Sequence, residues 1–267
     1  MTKTVVCRVL ENERLSERCY LLKVLAPSIA EECKPGQFVM LRCRSAAWPY
    51  LSRPFSVYDS DGDAVLEIVY KVVGRATAVL AGLGGGEEID MVGPLGTGYS
   101  PVDGVAHLIC VAGGIGVPPL AFYCRRYAGV CEATTLVVGA ATADELLVPI
   151  GLMAEGIEIM SLTEDGTKGA RGLATDGLAR ILRTLAVPPA AARIAACGPR
   201  AMLAEVYRQA AGAGIACEIG VEEVMACGVG ACMSCAVPKA GGGYLHACKD
   251  GPVIDGSRID FVRWLGT

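Results

Sequence analysis

Residues 104–124 read GVAHLICVAGGIGVPPLAFYC, twenty-one positions without Asp, Glu, Lys or Arg. A helix of that length would cross a bilayer, but four glycines, the pair Pro118-Pro119 and His107 interrupt the run. Its first half, 106–113, suits a strand buried on both faces. The glycines then form a tight loop and the prolines open a helix, whose first turn has no use for their missing N–H groups. A buried strand, a glycine loop and a helix begin a βαβ unit, and such a loop lets a dinucleotide's phosphates approach the backbone. The pattern is not G-x-G-x-x-G, and a tight turn with no ligand uses the same residues.

The alternation continues downstream. ATTLVVGAA (133–141), IEIMSLT (157–163) and ARIAACG (192–198) read as strands, and PPLAFYCRRYA (118–128), LATDGLARILRTL (173–185) and PRAMLAEVYRQAAGAG (199–214) as helices. Strands alternating with helices of about 10 to 15 residues build a parallel sheet. ACGPRAML (196–203) repeats the strand-to-loop geometry, placing Cys197, Gly198 and Pro199 at a strand's carboxyl end, where open α/β sheets bind ligands. On spacing alone Cys197 is equally a core thiol. In GAATADEL (139–146), Asp144 and Glu145 would repel a 2′-phosphate and no arginine waits to receive one, which favours NAD over NADP. TEDGTKGARG (163–172) reads as a solvated loop.

Upstream the rhythm differs. TVVCRVLENERL (4–15), CYLLKVLA (19–26), GQFVMLRCR (36–44), FSVYD (55–59) and AVLEIVYKVVG (64–74) are short alternating runs separated by turn clusters, the signature of an antiparallel barrel or sandwich. One helix, ATAVLAGL (76–83), interrupts them. RPFS, residues 53–56, puts at a strand entrance an arginine able to fork onto a pyrophosphate, although Arg-Pro there is commonly just a turn. In VYKVVGRAT (69–77), Gly74 and Thr77 open the helix where free N–H groups attract phosphate; Thr77 is equally an ordinary N-cap or first-turn residue. Together these two signals indicate a flavin dinucleotide. GPLGTGY (93–99) reads as a glycine-rich link that closes the barrel.

Beyond Ile215 about fifty glycine-rich residues carry four grouped cysteines, too short a segment to stand on its own core. Cys227, Cys232, Cys235 and Cys248 give C-x4-C-x2-C-x12-C, and the first three match plant-type [2Fe–2S] spacing. Gly228, Gly230 and Ala231 leave backbone N–H groups free to turn onto sulfur. Zinc is the rival metal, but structural zinc sites usually pair two C-x2-C knuckles and only one is present. The other nine cysteines show no repeated spacing and read as small buried hydrophobes in a reducing compartment.

Composition excludes several classes. Net charge is −4 and the 24 Lys and Arg are scattered, so the electrostatic footprint of a nucleic-acid binder is missing. MTKTVVCRVL has no signal-like apolar region, and a cytoplasmic protein with no membrane segment is expected. His107 and His246 fall in separate expected domains and make no catalytic pair; no Ser-His-Asp or paired-carboxylate set emerges. Apolar residues make up 52% of the chain and mean hydropathy is +0.44, enough for a large core with some left for a partner surface. The expected fold is multidomain, β plus α/β: an antiparallel β-barrel FAD domain over 1–100, a parallel-sheet NAD domain over 101–215 and a small [2Fe–2S] domain over 216–267.

The order RPFS, G-x-x-T, GPLG, GGIGVPPL, CGP and the cysteine loop resembles the ferredoxin-NADP reductase superfamily. The tail, EEVMACGVGACMSCAVP with HACKDGPVID, is similar to electron-transfer subunits of NAD-dependent (class 1B) dihydroorotate dehydrogenases, and the resemblance spans essentially the full chain. It implies FAD contacts at Arg53, Pro54, Phe55, Ser56, Val69, Tyr70, Lys71, Ala76 and Thr77, with Ala76 standing where the family usually has glycine. It implies [2Fe–2S] ligands at Cys227, Cys232, Cys235 and Cys248. It implies NAD as substrate against Gly113, Gly114 and Gly116 and near Cys197, Gly198 and Pro199. The implied partner is an FMN-containing catalytic subunit of pyrimidine biosynthesis that oxidises dihydroorotate, two copies of each chain together. A close alternative is the small subunit of an NADH-dependent ferredoxin:NADP transhydrogenase, and one of another class is a zinc-stapled nucleotide-binding regulator.

Overall fold

A computed structural model describes residues 2–44 and 50–266 of the chain. The amino-terminal unit contains β1 (Lys3–Arg14), β2 (Cys19–Leu25), α1 (Pro27–Ala30), β3 (Phe38–Cys43), β4 (Arg53–Ser56), β5 (Asp59–Ser60), β6 (Val65–Lys71), α2 (Arg75–Ala81) and β7 (Glu88–Leu95). β1 shows the period-two rule that makes it a strand: Cys7 and Val9 are buried while Val6, Arg8 and Leu10 face outward. The sheet order is β4-β3-β7-β1-β2-β6-β5, antiparallel throughout. Its inner face holds Leu22, Val24, Val39, Leu41, Leu66, Ile68, Ile89 and Met91.

FSVYD is not one strand. β4 pairs with β3 on one edge and β5 with β6 on the other, and only Val57 and Tyr58 lie between them. The Val57 N–H donates to Gln37 O (3.2 Å) and the Tyr58 N–H to Glu67 O (2.8 Å), so two residues draw the opposite edges of one sheet together and close it. GPLGTGY is likewise more than a link, because its first three residues finish β7, a central strand. Gly93 serves that strand by packing: a Cβ there would fall 2.7 Å from Val39 Cγ1.

The second unit contains β8 (His107–Gly113), α3 (Val117–Arg126), β9 (Ala133–Ala140), β10 (Glu158–Thr163), β11 (Ala170–Arg171), α4 (Ala174–Thr184), β12 (Ala192–Cys197), α5 (Arg200–Gly212) and β13 (Ala216–Gly220). α3 buries Val117 through Cys124 without a break, because Phe122 enters the barrel core while Leu120, Ala121 and Cys124 pack on the sheet. This is why 104–124 carries no charge: its helix is enclosed by two protein units. Among the described residues no helix is long and apolar enough to cross a membrane.

The parallel sheet runs past residue 215, where the sequence reading ends the α/β unit. β13 pairs with β12, and β16 (Val253–Asp255) returns from the cysteine-rich tail to cover β13 in antiparallel register. The remaining tail elements are the hairpin β14 (Ala236–Pro238) and β15 (Tyr244–His246), α6 (Ala247–Asp250) and α7 (Phe261–Leu265). They have no separate core: Met225, Cys235, Val237, Cys248 and Trp264 join one apolar cluster with Phe38, Met40 and Leu95 of the barrel and Ile219 of the sheet. The segment too short to core itself borrows from both neighbours.

Candidate redox and nucleotide site

The cysteine loop turns at glycines with positive φ, Gly228 (+70°) and Gly230 (+81°), conformations that cost other residues about 1 kcal/mol or more. With the chain so folded, the N–H groups of Val229 (3.4 Å), Ala231 (3.3 Å) and Cys232 (3.4 Å) donate to Cys227 Sγ, and that of Gly230 (3.1 Å) to Cys248 Sγ. The Cys248 N–H donates to Cys235 Sγ at 3.4 Å, and the two sulfurs lie 3.3 Å apart. Donors aimed at sulfur stabilise the thiolate: the Cys232 and Val229 N–H groups lower the Cys227 thiol, and the Ser234 hydroxyl, ahead of its backbone, holds Cys232 at about 6. Burial, with Cys235 alongside, pushes Cys248 up to about 12, the state expected of a thiol whose charge awaits a metal.

The sulfurs form two pairs, Cys227 with Cys232 and Cys235 with Cys248. Among the described residues, no three Cys, His, Asp or Glu converge as ligands of a single ion. Paired thiolates suit a cluster of two irons, each taking two sulfurs, better than one tetrahedral zinc. The donor set therefore fits [2Fe–2S].

Gly228 rests on the barrel, where a Cβ would fall 2.7 Å from Met40 Cγ, and Met40 on β3 is the cross-strand partner of Pro54 on β4. The cysteine loop and the RPFS strand thus meet at one side chain. Arg53 and Phe55 share a small pocket with Ala76 at the start of α2, bringing together both phosphate signals read from the sequence. Arg53 Nη1 donates to the Leu51 carbonyl at 2.9 Å. Tyr70 stacks on Tyr20 (5.6 Å), meets Phe55 edge-on (5.9 Å) and donates to Asn12 Oδ1 (3.1 Å), while Asn12 Nδ2 donates to the Leu80 and Leu83 carbonyls. Asn12, which no motif announced, ties β1, β6 and the end of α2 together. The Thr77 hydroxyl accepts from the Val73 and Gly74 N–H groups and donates to Gly74 O, so it shapes the turn entering α2. Val69 is buried, and Ser56 lies half-buried opposite Phe38. An arginine, an aromatic ring and the first turn of α2 at one pocket are the residue types that suit a flavin dinucleotide.

A cleft of about 1150 Å³ separates the β1–β2 turn and the end of β6 from the carboxyl ends of the parallel strands. Gly113, Gly114, Pro199 and Met202 line one side, Cys19 and Lys71 the other. Gly114 (φ +53°) has open space where a Cβ would stand. Gly113, Gly116 and Gly198 answer to packing instead: a Cβ would fall 2.7 Å from Met202 Sδ, 2.2 Å from Cys197 O and 2.7 Å from Met202 Cε respectively. The two βα loops are pressed together, and glycine is what lets them touch. Five acids, Glu17, Asp144, Glu145, Glu164 and Glu205, line the cleft against Arg18 and Lys71, and Lys71 Nζ is bound to Glu145 across it at 3.0 Å. That balance suits a nucleotide without a 2′-phosphate.

Cys197 ends β12 behind Gly113, where its thiol donates to Glu222 Oε1 at 3.8 Å. Burial, then the Glu222 charge, raises this thiol well above its usual range. Glu222 keeps one face open to solvent while protein crowds the others, and that crowding raises its carboxyl. Sequence reading found Cys197 through CGP but had no signal for Glu222, twenty-five residues away. His107, at the opposite end of its strand, bonds Thr135 Oγ1 (2.9 Å), and His246 lies in the tail, so they make no pair.

Such a barrel and nucleotide-binding sheet, carrying a paired-thiolate loop, define a flavin reductase of the ferredoxin-NADP reductase type with an iron–sulfur module, using FAD, [2Fe–2S] and NAD. A chain of the NADH-dependent reduced ferredoxin-NADP oxidoreductase structure described for flavin-based electron bifurcation superposes with a TM-score of 0.84 at 26% identity, covering 100% of this chain and 94% of that one. Residues 222–260 match the profile of the iron-sulfur cluster binding domain of dihydroorotate dehydrogenase B. The chain is 33% identical over 259 residues to the dihydroorotate dehydrogenase B (NAD(+)) electron transfer subunit of Desulforamulus reducens, covering 95% of this chain and 97% of that one. It is 33% identical over 262 residues to the same subunit of Clostridium acetobutylicum, covering 96% and 97%. The chain belongs to the family of electron transfer subunits of NAD(+)-dependent dihydroorotate dehydrogenase B.

Proposed function

We propose that this chain carries electrons from a dihydroorotate-oxidising, FMN-containing catalytic subunit to NAD+, with two copies of each chain in the complex. The observation that carries the reading is the contact at Met40, which joins the cysteine loop to the strand of Arg53 and Pro54. Bound FAD exchanges two electrons with a nicotinamide and single electrons with an iron–sulfur cluster, so it belongs between the other two. The residues divide the labour accordingly. Arg53, with the turn held by Thr77, would grip the pyrophosphate, while Phe55 lines the pocket and the buried Tyr70 backs it edge-on. Gly114 opens the nucleotide loop, and the Lys71–Glu145 pair spans the cleft that receives the dinucleotide. Cys227, Cys232, Cys235 and Cys248 would hold the two irons.

An electron transfer subunit has a catalytic partner, and the exposed tip of the cysteine loop is where we dock it. Cys232 is exposed there beside Val229 (55%) and Met233 (59%), apolar side chains with little reason to face water. Nine cysteines outside the cysteine loop, none of them in a disulfide, suit the cytoplasm. No residue set for dihydroorotate itself stands out among the described residues, and that chemistry is assigned to the partner.

Purification with the co-expressed partner tests the reading: we expect an FMN-containing subunit, with FAD, iron and acid-labile sulfide retained on this chain. The architecture shared with the ferredoxin-NADP oxidoreductase makes the second reading concrete. A companion flavoprotein carrying [4Fe–4S] clusters would favour it and overturn ours.

A further inference from the structure

Glu222 and Glu223 are consecutive in the loop after β13, and their side chains take separate partners. Glu222 meets the Cys197 thiol. Glu223, its side chain only 7% exposed, accepts from Arg200 Nη2 with both oxygens (2.8 and 3.0 Å) and from Trp264 Nε1 (2.6 Å). Arg200 Nη1 also donates to the Trp264 carbonyl at 3.0 Å, and the guanidinium lies 5.2 Å over the Trp264 ring, itself 1% exposed. A cation at the first residue of α5 opposes the helix dipole, and Glu223 offsets it with a two-oxygen pairing.

We propose that Arg200, Glu223 and Trp264 form a positioning clamp that sets the Cys197–Glu222 pair behind the glycine loop lining the nucleotide cleft. Arg200 follows Cys197 by three residues and Glu223 adjoins Glu222, so one clamp fixes both members of the pair. Glu222 needs it, because a thiol is a weak donor and holds a carboxylate poorly. Through Trp264 the last helix, α7, covers the Glu223 side of the clamp, while the Arg200 side chain stays 37% exposed. The inference rests on reading the cleft as the nicotinamide nucleotide site.

The test is Glu223→Gln in the assembled complex. At saturating NADH, flavin reduction slows about tenfold, the cost of a displaced positioning group. KM stays within about twofold, since uniform binding is untouched, and FAD and iron per chain stay at the wild-type level. Alkylation of Cys197 by iodoacetamide, followed by peptide mass spectrometry, accelerates about fivefold as Glu222 ceases to cover the thiol. Glu222→Gln gives the same rate loss, the double variant is no slower than either single one, and Arg200→Lys, which keeps the charge but loses the planar fork and the stacking on Trp264, also slows reduction and speeds Cys197 alkylation. Wild-type rate and wild-type Cys197 alkylation in Glu223→Gln overturn the clamp, as does an additive double variant. If Glu223→Gln does not fold, Trp264→Phe removes the indole donor together with some buried volume while keeping an aromatic ring, and unchanged Cys197 alkylation there overturns it equally. Should NADH fail to reduce even the wild type, the nucleotide reading falls, and Cys197 alkylation alone decides the clamp.

Discussion

A methyl group added at Gly116 would sit 2.2 Å from the Cys197 carbonyl oxygen, and that oxygen belongs to backbone that cannot swing aside. Gly116→Ala therefore drives the two βα loops apart, and we expect about 2 kcal/mol of lost stability together with loss of NADH-driven flavin reduction. Gly114→Ala meets open space and only the strain of φ +53°, about 1 kcal/mol. Denaturant unfolding of the two variants checks this, and equal costs would contradict the assignment of one glycine to packing and the other to the cleft. The sequence showed both glycines as members of one loop and could not tell them apart, because the atom that constrains Gly116 lies eighty-one residues away. Glu222 escaped for the same reason. Cysteine spacing behaves differently: loop closure over one short segment is local, so the four thiols and the N–H groups turned onto them were legible from residue identity.

At the scale of elements, the strongest misreadings were β7 and FSVYD. Gly93-Pro94 resembles a linker until Val39 shows why the strand needs a glycine, and five apolar-leaning residues look continuous until their hydrogen bonds divide between Gln37 and Glu67. Helix and strand periodicity report burial on one face, and α3, buried on every side, has none to report. The connection between β6 and the loop after β9 carries a prediction of its own. Glu145→Gln frees Lys71 and removes one acid from the cleft. We expect the preference in kcat/KM for NADH over NADPH to fall about tenfold, measured by steady-state reduction of an artificial acceptor. An unchanged ratio would remove Glu145 from nucleotide choice.

Across the whole molecule, the absence of a separate tail core ties cluster, barrel and sheet into one body, a feature hidden in the sequence because its members lie up to about two hundred residues apart. Buried thiols set the behaviour of that body in alkali. Burial and then Asp90 push Cys7 up to about 11, and burial and then Asp255 push Cys217 up to about 12. Unfolded, both ionise near their ordinary value of about 8.5, so above it the unfolded chain binds fewer protons and stability falls as pH rises. The melting temperature should drop by about 5 °C between about pH 8 and about pH 10.5, and Cys217→Ala should flatten the slope. A flat profile in the wild type would place these thiols in water. The central claim is a division of labour between the cysteine loop and the cleft, and Cys232→Ser in the assembled complex tests it most directly by stopped-flow absorption. We expect NADH still to reduce the bound flavin at close to the wild-type rate while electron exchange with the partner subunit stops. Loss of flavin reduction from a variant that retains FAD, or undiminished exchange with the partner, would contradict it.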